Sequence, residues 1–122
     1  MIGIDYLLDT NAILYFLSGN ECMEPYVSGK IAYSIISEME LLSYTKISYD
    51  EEEIIKRFLK KNISVSISEE VKKRTIQIRK KYNIKLPDAI IAASAIENNL
   101  VFLTADLGFA KVKELKLELI KP

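Results

Sequence analysis

The sequence predicts an α/β fold, with a central, mostly parallel sheet covered on both faces by helices. Three observations lead there. Short apolar runs such as Leu100–Leu103 alternate with longer helix-patterned segments throughout the 122 residues, the order that builds a parallel sheet. Those runs carry few polar residues, as strands buried on both faces do. Acids then stand beside the runs or open the helices that follow, at Asp9, Asp88 and Asp106.

Ile4–Leu8 reads as the first strand and stops at Asp9. Asn11–Leu17 is apolar nearly throughout, as a helix buried against the sheet would be, and Ser18-Gly19-Asn20 ends it. Lys30–Ser34 is a second strand, followed by a helix from Ile35 to Tyr44. Asp50 with Glu53 three residues later fits a capping box, opening a helix that ends near Asn62. Ser64–Ile67 alternates polar and apolar residues, the pattern of a short edge strand. Ser68 caps a helix on which Val71, Thr75 and Ile78 mark one face. Asn83–Leu86 is a loop, and Pro87 fits the first helical position, where a missing N–H costs nothing. That helix runs to Asn98 and Asn99, and strands Leu100–Leu103 and Leu117–Ile120 follow. No repeat, low-complexity tract or linker breaks the pattern, so residues 1–122 are expected to form a single domain.

Composition narrows the function. The chain is 49% hydrophobic and 28% charged, ordinary for a soluble globular protein. Net charge is zero, yet positions 54–85 hold eleven Lys and Arg against two Glu. The stretch reads either as solvated helix faces or as a basic rim suited to a polyanion such as RNA. Cys22 is alone, so no intramolecular disulfide can form, and a reducing compartment fits. No apolar stretch approaches membrane-span length, and no basic region precedes a long apolar segment at the N-terminus. A cytoplasmic protein without membrane contact is expected. The chain has no histidine, which excludes imidazole as a general base.

The acids are the candidate chemistry. In an open α/β sheet, ligands bind outside the carboxyl ends of the strands. Asp9, Asp88, Asp106 and an acid of S-E-M-E-L-L come from distant stretches of chain. Two carboxylates about 4 Å apart repel by roughly 4 kcal/mol at an effective dielectric near 20. A divalent cation would neutralise such a cluster. Each acid also has a plain structural use: Asp9 as a helix N-cap, Asp88 as a first-turn acid favoured by the helix dipole, Asp106 as a turn residue before Gly108. Glu38 and Glu40 lie two positions apart on one helix and point about 200° from each other, so one of them faces the site. Thr10, Asn11 and Thr104 are polar residues beside these acids, placed to hydrogen-bond within the site.

Four motifs in order resemble those of the PIN-domain ribonucleases, most closely the VapC-type toxins of toxin–antitoxin pairs. They are L-L-D-T-N-A-I-L-Y-F-L, S-I-I-S-E-M-E-L-L, L-P-D-A-I-I-A-A-S-A-I and V-F-L-T-A-D-L-G-F, and together they span nearly the whole chain. The resemblance implies a three-layer PIN-like domain and hydrolysis of RNA phosphodiesters with Mg²⁺ or Mn²⁺. It puts Glu40, which directly precedes the paired leucines, in the acidic site beside Asp9, Asp88 and Asp106. Asp9 and Asp106 would be direct metal ligands, with Asp88 and Glu40 serving a second ion or holding waters. Thr10, Asn11 and Thr104 would orient these groups. A homodimer and a small antitoxin protein are the implied partners. Many relatives carry a further acid before the phenylalanine of the last motif, where this chain has Gly108. Two other readings compete: a PIN-like RNA-binding or assembly module without catalysis, and a receiver-type signalling domain. The receiver would need paired acids after the first strand and a Lys after the last, which are not evident.

Overall fold

The structure, a computed structural model, describes residues 5–122. Strand β1 (Tyr6–Leu8) leads directly into helix α1 (Thr10–Leu17), and a 3₁₀ segment, Glu21–Tyr26, returns the chain to β2 (Ile31–Ser34). Helix α2 (Ile35–Leu42) follows without a loop, then α3 (Tyr49–Lys61), β3 (Ile63–Val65), α4 (Glu69–Lys81) and α5 (Leu86–Glu97). Strand β4 (Val101–Thr104), a 3₁₀ turn at Leu107–Lys111 and β5 (Leu117–Leu119) complete the order. Ile4, expected to begin β1, lies outside the described residues.

The five strands form one sheet in the order β3-β2-β1-β4-β5, and every pairing is parallel. The chain adds strands to one side of β1 and then crosses to the other side with β4. The carboxyl ends of β1 and β4 therefore flank the switch point, where open α/β sheets bind ligands. Asp9 follows β1 directly, and Asp106 stands two residues beyond β4.

Strand side chains alternate between two cores. Leu7, Ala32 and Phe102 point to one face and pack with Val71 and Ile78 of α4 and with Ala89, Ala92 and Ala93 of α5. Leu8, Ile31, Tyr33 and Leu103 point to the other, against Ala12 and Ile13 of α1 and Ile55, Phe58 and Leu59 of α3. Alanines dominate the buried surface of α5, which lets the sheet and α4 approach closely from different sides. Arg74 of α4 joins Glu97 of α5 through a partly buried ion pair of 2.7 Å. The Tyr33 hydroxyl donates to the Leu59 carbonyl at 2.7 Å, fastening β2 to α3.

Several local expectations shift. The capping box of α3 is Ser48 with Glu51: the Ser48 hydroxyl accepts from the Glu51 N–H at 3.1 Å, and Glu51 accepts from the Ser48 N–H at 2.9 Å. The Asp50–Glu53 pair lies inside the first two turns, because the two overlapping patterns are both legal and the upstream one forms. Leu86 opens α5, so Pro87 takes the second helical position, still within the turn that needs no N–H. Edge strand β3 begins one residue earlier than expected and ends at Val65, leaving Ile67 outside it and 46% exposed.

Candidate active site

Asp9 is the buried centre of the site. It caps α1, with Oδ1 accepting from the Ala12 N–H at 2.8 Å. Its other oxygen, Oδ2, accepts a short hydrogen bond from the Thr104 hydroxyl at the end of β4. Capping and a site role are thus compatible, because the cap occupies one oxygen and the carboxylate still faces the sheet edge. Burial pushes the Asp9 pKa above the ordinary carboxylate range. The two hydrogen bonds pull it back down, while nearby Asp106 and Asp88 push it up again.

Thr104 is fully buried and joins two of the acids. Its hydroxyl donates to Asp9 and accepts from the Asp106 N–H at 3.0 Å. Asp106 Oδ1 in turn accepts from the Gly108 N–H at 2.8 Å, which starts the 3₁₀ turn and fixes the carboxylate beside the end of β4. A Cβ at position 108 would sit 3.0 Å from Asp106 Oδ1, so glycine leaves this acid the room its turn needs.

Glu40 reaches the site from α2. Its Oε1 lies 2.6 Å from Thr10 Oγ1, and Thr10 Oγ1 lies 2.9 Å from Ser37 Oγ. A hydroxyl has one proton, and a carboxylate can only accept it. Thr10 therefore donates to Glu40, and the fully buried Ser37 is left to donate to Thr10. The charge of Glu38 acts on Tyr33, raising that phenol's pKa after the larger effect of burial. Of the two acids, Glu40 is the one that bonds Thr10 and whose charge acts on Asp88.

Asp88 lies half-buried in the first turn of α5. Burial raises its pKa most, followed by the charges of Asp106 and Glu40, with Lys85 opposing them. Asp9 senses Asp106 and Asp88, and Asp88 senses Asp106 and Glu40. The four acids form one electrostatic unit built from β1, α2, α5 and β4. All candidate donors are oxygens, the choice of Mg²⁺ and Mn²⁺. Among the described residues no three acids converge into a ready cage.

Asn11 behaves differently from Thr10. It is exposed on α1, and among the described residues its side chain makes no hydrogen bond to the site. The first turn aims Thr10 across to α2 and Asn11 away from it. Ser37, conversely, was invisible in the sequence, since a small polar residue on a helix carries no pattern of its own. Two lysines also line a cavity of about 260 Å³ shared with Asp88 and Asp106: Lys85 before α5 and Lys111 in the second 3₁₀ turn. Their signal was charge alone, and Lys111 falls outside the basic stretch.

Among known proteins, the PIN domain family matches residues 6–115. A toxin–antitoxin complex from Klebsiella pneumoniae contains a chain that is 29% identical, with 91% of this chain and 95% of that one covered and a TM-score of 0.78. VapBC2 of Rickettsia felis, solved bound to a DNA fragment from its promoter, has a similar chain at 22% identity, coverage of 94% and 98%, and a TM-score of 0.81. FitAcB from Neisseria gonorrhoeae matches at 22% identity, coverage of 92% and 95%, and a TM-score of 0.72. No curated protein matches the sequence.

Proposed function

This chain belongs to the PIN domain family, and on that premise we propose that it is an endoribonuclease dependent on Mg²⁺ or Mn²⁺. The observation that carries the reading is the electrostatic unit of Asp9, Glu40, Asp88 and Asp106 at the switch point of a parallel sheet. Mutual repulsion at a sheet edge is a cost that a cation and a phosphodiester together relieve.

Asp9 and Asp106 are the proposed direct ligands, with Asp88 and Glu40 holding a second ion or ordered waters. When bound, the cation supplies Lewis acidity toward a phosphoryl oxygen and toward a water. The chain supplies position. Thr104 and the Ala12 N–H fix both oxygens of Asp9, Thr104 and the Gly108 N–H fix Asp106, and Ser37 and Thr10 fix Glu40.

The similar chain from Klebsiella pneumoniae belongs to a toxin–antitoxin complex, and the same role is proposed here: the toxin of such a pair, acting as a homodimer and silenced by a small antitoxin. A groove of about 500 Å³ lined by Phe16, Leu17, Val27, Ile54 and Phe58 supports a protein partner, since Val27 and Ile54 stay 58% and 43% exposed. No helix of the described residues is long and apolar enough to cross a membrane, and a cytoplasmic site of action is part of the proposal.

Incubation of the purified protein with total RNA tests this reading. Defined fragments should appear with Mn²⁺, disappear with chelator, and be absent for Asp9→Asn. Intact RNA in every lane would turn the reading toward a binding module.

A further inference from the structure

The acids are not alone at their end of the sheet. The cavity of about 260 Å³ at Asp88 and Asp106 is also lined by Asn83, Lys85 and Lys111. A larger hollow of about 500 Å³ adjoins it, sharing Asn83, Ile84 and Lys85 and adding Arg79 and Lys80. The two spaces follow the loop between α4 and α5 and lead from carboxylates to cations. Along α4, ion pairs occupy Lys72, Arg74 and Lys81, with Glu69, Glu97 and Glu114. Among the described residues, Lys85 and Lys111 form no such pair. Lys111 Nζ instead donates a short hydrogen bond to the Asn83 carbonyl, so the second 3₁₀ turn holds the α4–α5 loop in place. Lys85 acts on Asp88 across the mouth of the smaller cavity.

We propose that Lys85 and Lys111 bind the backbone phosphate next to the one that is cut, and that the strand continues along the α4–α5 loop past Arg79 and Lys80. The assignment rests on the ribonuclease reading. Carboxylates recruit a phosphate only through a cation, whereas ammonium groups recruit it directly, and a strand threading the site needs both in sequence. Lysine suits a contact that must hold phosphate without regard to base. These residues are positioning groups for the substrate, not catalytic ones. The basic residues along α4 that drew attention in the sequence are partly neutralised, and the effective contacts lie on the loop and turn beyond its end.

Binding of a short fluorescein-labelled single-stranded RNA, followed by anisotropy across a salt series in chelator, tests the proposal. Each lost contact to single-stranded RNA flattens log K against log salt by about 0.7. Lys85→Gln should flatten the slope by about 0.7 and Lys85→Gln/Lys111→Gln by about 1.4. Lys56→Gln/Lys60→Gln, on α3 across the sheet, should leave it unchanged. Lys111→Arg keeps the charge and the bond to Asn83, and should restore the slope if phosphate contact is the role. In Mn²⁺ the Lys85/Lys111 double variant should raise KM for cleavage with kcat within about twofold, the pattern of lost substrate binding. An unchanged slope in a protein that cleaves RNA would overturn the phosphate track alone. The expected slopes in a protein that leaves RNA intact with Mn²⁺ would uphold the track and refute the nuclease. Absence of RNA binding by the wild type would overturn the phosphate track, and intact RNA with Mn²⁺ as well would overturn both.

Discussion

Thr104 donates its hydroxyl proton to the buried carboxylate of Asp9 across 95 positions of sequence. That bond joins the ends of β1 and β4, the two strands on either side of the switch point, and the same hydroxyl accepts the Asp106 N–H. Thr104→Val keeps the shape and removes both roles. RNA cleavage should fall about 10–100-fold, as for other groups that orient ligands. Stability should fall by about 1–3 kcal/mol, because the partners are left unsatisfied. Thr104→Ser should recover most of both, which urea unfolding and a cleavage assay on the same samples would measure.

The Ser37–Thr10–Glu40 relay yields a separate expectation. Ser37→Ala removes a buried hydroxyl that touches no substrate, so any effect on cleavage has to pass through Thr10. Cleavage should drop about tenfold or more, with Thr10→Val at least as impaired. Equal activity of Ser37→Ala and wild type would remove the relay from the site.

Asp88 makes metal-free stability depend on pH. Its folded pKa is raised above 3.8 by burial and by Asp106 and Glu40, so the folded protein holds this proton more tightly than the unfolded chain. The contribution to stability is largest below pH 3.8, falls as pH rises through the folded pKa, and stays at its minimum above it. Asp88→Asn should therefore raise the melting temperature of chelated protein at neutral pH, with the advantage vanishing below pH 3.8. Mn²⁺ should narrow the gap by stabilising the wild type more. A destabilised Asp88→Asn at neutral pH would mean that the helix dipole's favourable effect on this first-turn acid outweighs burial and repulsion.

The two cores should respond to truncation in the usual way. Phe102 is fully buried and stacks edge-on against Phe109 with centroids 4.8 Å apart. Phe102→Ala should cost about 3–5 kcal/mol in chemical denaturation. Tyr33→Phe, which removes only the bond to Leu59, should cost about 1 kcal/mol.

What could be read in advance follows from how each feature is encoded. Strand ends announce themselves where an apolar run meets a polar residue, so Asp9, Thr104 and Asp106 were legible together with the parallel sheet. Asp88 was legible because Pro87 marks a helix start. The 3₁₀ segment Glu21–Tyr26 was not, since three-residue turns leave no stable hydrophobic period. Asn11 looked equivalent to Thr10, and only the 100° step between neighbours on a helix separates them. Ser37 and Lys111 acquire meaning from residues far away in sequence, Thr10 and Asn83, and no local pattern encodes such a pairing.

The cleavage rate of a defined RNA as Mn²⁺ is titrated, for the wild type and for Asp9→Asn, Glu40→Gln, Asp88→Asn, Asp106→Asn and Glu38→Gln, probes most directly whether four acids form one metal-dependent site. The first four variants should lose about 100-fold or more at every Mn²⁺ concentration, while Glu38→Gln, whose charge acts on Tyr33, should track the wild type. Wild-type rates from any of the four, or a collapse with Glu38→Gln alone, would contradict the site as built here.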